Sequence, residues 1–193
     1  MHAMILAAGR GERMRPLTDT TPKSMLEVNG KPLIQYQVER LVDAGITQIV
    51  INHSYLGEQI ESFLGDGQHL GADIQYSAEQ DAPLDTGGGI CQGLPLLGDA
   101  PFIVTNADAW TDYPLAQLSD HPAGLAHLVL VDNPPHNPQG DFALDGTHVR
   151  QDGDERFTFS GIGVYRAELF AGHNKGEAFP LTPLLQAAVQ QGE

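Results

Sequence analysis

Apolar residues along this chain come in short continuous blocks and in helix-spaced stripes, and the two kinds of stretch take turns. Residues 3–8, AMILAA, form an apolar run that stops at Gly9, which predicts a buried strand. Residues 9–31 carry Gly, Pro and Thr throughout and predict a loop. Pro32 then opens a helix to about Ala44, because Ile34, Val38, Leu41 and Val42 fall on one face and Gly45 ends the run. ITQIVIN (46–52) predicts a second strand, YLGEQIESFLGDG (55–67) a short helix closed by glycine, and ADIQYS (72–77) a third strand. A loop carrying LDTGGG (84–89) leads into a helix through about Leu97, and PFIVTN (101–106) is a fourth strand.

Strands that alternate with helices predict an α/β fold, Rossmann-like and doubly wound, with a mainly parallel sheet and helices on both faces. Ligands of such sheets sit in the crevice beyond the carboxyl ends of the strands. The loops 9–23 and 79–89 and the segment NADAW (106–110) all begin at such ends. From residue 124 the pattern changes. GLAHLVLVD (124–132) is a strand, NPPHNPQG (133–140) a loop, DFAL and RFTFSGIGVYRA (156–167) further strands, and FPLTPLLQAAVQQG (179–192) a terminal helix. The added strands make the sheet mixed. No internal repeat, low-complexity tract or linker interrupts the chain, so one domain over 1–193 is expected.

The net charge is −15 on 193 residues, which disfavours nucleic acid and anionic membranes as partners. No apolar run reaches the roughly 18 residues that span a bilayer. The start, MHAMILAAG, lacks the basic region of a signal peptide. A single cysteine, Cys91, excludes an internal disulfide framework. Together these features predict a cytoplasmic protein; a monomer or small homo-oligomer is expected. The distribution of charge says more than its total. Five of the ten Lys and Arg residues (Arg10, Arg13, Arg15, Lys23, Lys31) lie in the first 31 positions beside only three acids, so this segment is positive in an acidic chain. Either the basic residues cluster by chance on a solvated face, or the segment is a local anion site.

Gly9 and Gly11 follow the first strand. Without Cβ atoms the backbone there can turn sharply and aim N–H groups at a phosphate, to which Arg13 or Lys23 can add charge-assisted bonds. The loop is not a Walker loop, because no G-K-[ST] follows, nor a dinucleotide fingerprint, because Met14 occupies the third glycine place. A tight turn with arginines in solvent is the other reading.

Gly9-x-Gly11-x-Arg13-x-x-Pro16-Leu17-Thr18, followed by Thr21-Pro22-Lys23, resembles the signature of the sugar-1-phosphate nucleotidyltransferases. LDTGGGI (84–90) resembles that family's L-G-T-[AG]-G segment, although Asp85 stands where a glycine is common. TNADAW (105–110) resembles the segment whose aspartate holds the catalytic magnesium. The likeness is strong over 1–110 and looser beyond. INHSYLGEQIE, NADAWTDY, GLAHLVLVDNP, GDFAL and TFSGIGVY are similar to one bacterial subgroup, the N-acetylmuramate-1-phosphate uridylyltransferases of cell-wall recycling.

The resemblance implies the nucleotide-diphospho-sugar transferase type of sheet. It implies transfer of UMP from UTP to a sugar 1-phosphate with release of pyrophosphate, dependent on Mg²⁺. Asp108 would ligate the metal, Arg13 would sit on the triphosphate, and Lys23 would lie near the α-phosphate. Leu6, Ala7, Ala8, Gly9 and Gly11 would line the nucleotide, with Asn106 beside them. Glu79 or Gln80 would meet the base, and Thr86, Gly87, Gly88 and Gly89 would open a helix against it, with a simple helix cap by Asp85 or Thr86 as the other reading. Asp141, Ser160 and Gly161 are candidates for the acceptor side, with ordinary turns as their alternative. Asp112 either supports the metal region or caps the next segment. Trp110 either packs beside the site or joins the core, and the eight histidines show no metal-ligand spacing.

The family's E-K-P segment and its late W-x-D-V-G-T-like strand, source of a second metal ligand, match nothing here. UTP and dTTP differ at the base by one methyl group, which a pocket discriminates only modestly. A molybdenum-cofactor nucleotidyltransferase begins with a similar loop, but RPLT…TPK belongs to the sugar branch. A glucose- or mannose-1-phosphate nucleotidyltransferase is the alternative activity. A non-catalytic nucleotide-sugar-binding regulatory protein is the alternative of another class. Within the one domain, 1–110 is expected to be the nucleotide-binding half and 111–193 the sugar-binding half.

Overall fold

The computed structural model describes residues 1–79, 83–118 and 122–193. Strand β1 is His2–Leu6, and a small hairpin pairs β2 (Glu27–Val28) with β3 (Lys31–Pro32). Helix α1 (Leu33–Asp43), β4 (Gln48–His53), α2 (Gly57–Leu64), β5 (Asp73–Ala78), α3 (Asp85–Leu97) and β6 (Phe102–Asn106) follow. After them come β7 (Ala126–Val131), β8 (Phe142–Asp145), β9 (His148–Arg150), β10 (Arg156–Tyr165) and α4 (Thr182–Gln191). Eight strands form the main sheet in the order β5-β4-β1-β6-β10-β8-β9, with β7 also paired to β10. The pairs β5/β4, β4/β1 and β1/β6 are parallel, and every pair made by β10 is antiparallel. The expected α/β sheet is therefore present, parallel in its first half and antiparallel in its second.

Side chains alternate across the strands, so each strand feeds two cores. Ala3, Ile5, Ile49, Ile51 and Ile103 face one layer with Ile34, Val38 and Leu41 of α1 and Ile60 and Leu64 of α2. Met4, Val50, Phe102 and Val104 face the other layer with Ile90 and Cys91 of α3 and Leu185 and Ala188 of α4. Each large apolar side chain buried in this way contributes about 1.5–3 kcal/mol. Cys91 lies inside that second layer, and burial pushes its thiol pKa up.

Three expectations change. The stretch read as loop over 9–31 ends in the β2–β3 hairpin, which takes in Pro32 just before α1. The LDTGGG stretch is not the loop its composition suggests: α3 begins at Asp85 and runs through all three glycines, so the helix opening expected from the resemblance is present. Glycine reads as a loop former since it costs about 1 kcal/mol against Ala inside a helix. Here a Cβ at Gly87 would meet the Phe179 ring, and one at Gly88 would meet the Glu177 carbonyl. The segment 177–179 is also bonded to this turn, with Gly88 N donating to Phe179 O and Phe179 N to Leu84 O. Strand β9 was not expected: it is three residues long and closes a hairpin onto β8. No helix among the described residues is long and apolar enough to cross a membrane.

Candidate active site

Register brings three strand ends into one row. Leu6 pairs with Asn52 of β4 on one side and with Asn106 of β6 on the other. The chain enters its next strands on opposite sides of β1, so this row is the point where the winding reverses and a crevice opens. A cleft of about 280 Å³ lies there. Leu6, Ala7, Ala8 and Gly9 line it as β1 ends, and Asn106, Ala107 and Asp108 as β6 ends. Lys23 and Ser24 form one rim, and Pro83, Asp85 and Thr86 bring the start of α3 to the other.

The basic loop folds over this crevice. Gly11 has φ +64° and carries no Cβ, which would lie 2.9 Å from Thr18 Cγ2 and 3.0 Å from Lys23 Cβ. Thr18 Oγ1 donates to Gly11 O at 2.9 Å, closing the loop on itself. Tyr55 Oη donates to Asp19 O and Gln59 Nε2 to Thr20 O, which dock the loop on α2 and the turn before it. Lys23 Nζ is thereby brought to Asp108 Oδ2, across 85 residues of sequence, and the two form an ion pair with both side chains about one third exposed. Arg13 lies in an exposed turn, Glu12–Met14, outside the cleft lining. Arg10 stacks over Tyr55 and Arg15 pairs with Asp19 at 3.4 Å.

The segment that carries Asp108 is held from α1. Gln37 Nε2 donates to Ala109 O, and Arg40 Nη2 donates to Tyr113 O at 2.9 Å. Burial lowers the Arg40 guanidinium pKa, and exposed Asp112 opposes that shift. Trp110 is 70% exposed and touches Tyr36 edge-on, so its core reading is set aside.

Asn52 and Ser24 line the cleft and were not singled out from the sequence. A polar residue closing the run ITQIVIN is a faint signal, and the partner that gives Asn52 meaning, Glu79, lies 27 residues away. Glu79 is buried with both carboxylate oxygens engaged, by Asn52 Nδ2 at 2.7 Å and by Leu84 N at 2.9 Å. Gln80 lies outside the described residues. Gly87 and Gly88 sit behind the cleft wall, packed against 177–179. Asp85 takes φ +60°, a left-handed conformation that explains why a glycine suits this position. Its Oδ1 accepts from Thr86 N at 2.6 Å, which serves the helix start.

On the acceptor side, β10 is irregular between Phe159 and Gly163, where its register with β7 shifts. Gly161 has φ +83° there, and the space of its missing Cβ is filled by Asn106 Nδ2, which brings the bulge to the cleft edge. Ser160 Oγ donates to Val129 O at 2.7 Å and accepts from Ile162 N at 3.2 Å. Asp141 accepts from Phe159 N at 2.8 Å and from Asn137 Nδ2 at 3.0 Å. These two side chains secure the bulge and the loop leading to β8.

No cluster of three or more His, Cys, Asp or Glu side chains stands ready to cage a metal among the described residues. The single carboxylate of Asp108 beside a basic loop still fits Mg²⁺, which is commonly held by one or two carboxylates plus substrate phosphates.

A parallel half-sheet, a glycine-turned basic loop after its first strand and a carboxylate at the end of its fourth define an α/β domain of the nucleotide-diphospho-sugar transferase fold. The chain belongs to the nucleotidyl transferase family, whose pattern matches residues 2–144. It is 53% identical over 199 aligned residues to the N-acetylmuramate alpha-1-phosphate uridylyltransferase of Neisseria meningitidis, covering 99% of this chain and 86% of that protein. It is 42% identical over 121 residues to a mannose-1-phosphate guanyltransferase of Hypocrea jecorina, covering 61% of this chain and 33% of that longer protein. The solved inositol-1-phosphate CTP transferase of T. maritima shares the fold with a TM-score of 0.77 at 19% identity, covering 99% of this chain and 82% of the other.

Proposed function

We propose that this protein transfers UMP from UTP to a sugar 1-phosphate, with N-acetylmuramate α-1-phosphate as the acceptor, giving a UDP-sugar and pyrophosphate in cell-wall recycling. The observation that carries this reading is the Lys23–Asp108 pair at the cleft. Support for the acceptor comes from the relative that matches nearly the whole chain and is named for it. Both reactants are anions, so the reaction needs charge neutralisation and in-line placement more than it needs an acid or a base. Lys23 places a cation beside the α-phosphate. Arg13, on its exposed turn, reaches the outer phosphates, where charge gathers as pyrophosphate leaves. Asp108 would hold Mg²⁺, which when bound neutralises phosphate charge and polarises the phosphoryl group. Backbone groups of residues 6–9, with Thr86 and Asn106, take the base and ribose, while Gly11 keeps the loop closed over them. Gly87 and Gly88 act from behind, by seating α3. Gly161, Ser160 and Asp141 shape the acceptor side. On this reading 1–193 is one domain, with 1–110 for the nucleotide and 111–193 for the sugar, at work in the cytoplasm.

The test is pyrophosphate release with Mg²⁺, UTP or GTP, and a panel of sugar 1-phosphates. Release should be fastest with UTP and N-acetylmuramate α-1-phosphate, and Asp108→Asn should lower it by about 10²-fold or more. Preference for glucose or mannose 1-phosphate would keep the reaction and discard the acceptor. Nucleotide binding without release from any sugar would make the protein a sensor rather than a transferase.

A further inference from the structure

Within the wall of the cleft, which Ala7, Asn52 and Glu79 help to line, runs a hydrogen-bond chain with a fixed direction. Ala7 N–H donates to Asn52 Oδ1 at 2.8 Å, and also to the Asn52 carbonyl at 3.2 Å. Asn52 Nδ2 donates to Glu79 Oε1 at 2.7 Å, and Leu84 N–H donates to Glu79 Oε2 at 2.9 Å. The two side chains are only 3% and 6% exposed. Four elements are tied in this way: the exit of β1, the ends of β4 and β5, and the start of α3. Gly89 of α3 lies against the pair. A Cβ there would stand 2.7 Å from Asn52 Nδ2 and 2.8 Å from Glu79 Oε1, so the helix leaves just enough room for these two side chains.

The chemistry of the pair follows from its ends. Both ends are backbone N–H groups, which only donate. Two amide side chains between two such donors always leave one N–H facing another. Two carboxylates face each other with like charge. One amide and one carboxylate, in either order, satisfy all three bonds. We propose that Asn52 and Glu79 are positioning residues of the nucleotide cleft. Their one-way chain fixes the distance between the backbone at 7–9 and the first turn of α3, the two walls that hold the base. This rests on the reading of the cleft as the UTP site. Glu79 then acts through Asn52, and so on Ala7, and through Leu84, the partners its two oxygens already hold.

A swap of chemistry tests this. Asn52→Asp and Glu79→Gln are each made alone and together. Each single variant breaks the chain, and the double variant rebuilds it in the opposite order with the same shape and charge. Loss of one buried partner should raise KM for UTP about tenfold or more in each single variant. With kcat changed less than about threefold, such a rise marks lost ground-state binding. The double variant should return KM to within about threefold of the original, a non-additive recovery that marks direct coupling. Amide exchange at Ala7 and Leu84, which needs no ligand, should quicken in both singles and recover in the double. Single variants that fail to fold beside a double that folds also support the proposal. Singles with unchanged KM and exchange overturn it, as does a double no better than the worse single. If the unaltered protein does not turn over UTP, the transferase reading alone falls. The exchange rates then decide: quickened in both singles and recovered in the double supports the chain, and unchanged overturns it.

Discussion

The two halves of the sheet use their polar side chains in different ways. In the parallel half they bond across long gaps in sequence: Asn52 to Glu79, Gln37 to Ala109 and Lys23 to Asp108. In the antiparallel half several bond within one meander and secure its bends, as Asp141 does with Asn137 and Arg150 with Asp145, while Gln151 reaches Gln186 of α4. Geometry explains the contrast. Parallel strands all finish on the same edge, so their terminal residues converge on one place and can share one ligand. Antiparallel strands finish on alternate edges, so most of their terminal polar groups meet only the local turn. The bulge of β10 is the exception, since it carries Gly161 to Asn106 at the edge of the cleft.

The contrast can be broken or sharpened by experiment. The largest effect is expected at the convergence point. Lys23→Ala should cost about 10²–10³ in the rate of pyrophosphate release, the scale of one preorganised charge in the transition state. Its folding stability should change little, because an ion pair this exposed contributes about 0–1 kcal/mol. Equal losses of stability and rate would make the pair structural. A smaller effect is expected in the meander. Ser160→Ala removes two bonds at the bulge and should cost about 1 kcal/mol in denaturant unfolding. Its KM for UTP should stay the same, and a matching rise would erase the division between the halves. The smallest effect concerns pH. Tyr76 donates to Gly65 O, and burial, with Glu61 and Asp66 nearby, pushes its phenol up to about 12. The unfolded chain loses this proton near about pH 10 and the folded protein only near about 12. In that window the unfolded state binds fewer protons, so stability falls as pH rises. Unfolding midpoints from pH 8 to 12 should drop less steeply for Tyr76→Phe than for the original protein.

How much of this was legible in the sequence depended on the range of the interactions. The elements of the parallel half could be read because their apolar residues keep a clear period, from AMILAA to PFIVTN. The position of the cleft could be read because topology alone puts it at the strand ends. Strand β9 left no trace, since its residues His148, Val149 and Arg150 have no apolar run to mark them. The start of α3 was legible from the family resemblance and not from composition, because three glycines signal a loop and the contacts that reverse that signal come from Phe179 and Glu177, some ninety residues on. The Asn52–Glu79 chain was hidden for the same reason. Its bonds are chosen by the fold, and neither residue is unusual in its own segment.

Helix α3 carries a consequence for the order of assembly. Its thirteen residues include four glycines and Pro95. Against an all-alanine helix such a sequence gives up about 7 kcal/mol of intrinsic preference. It has almost no tendency to form alone, and its partners come from both ends of the chain: β1 and β4 beneath it, 177–179 across its first turn. This wall of the cleft therefore depends on contacts that the first half of the chain cannot supply. A growing chain can complete those contacts only after residue 179 has been made, so on the proposed reading a fragment ending near residue 110 is expected to bind nucleotide more weakly than the whole chain.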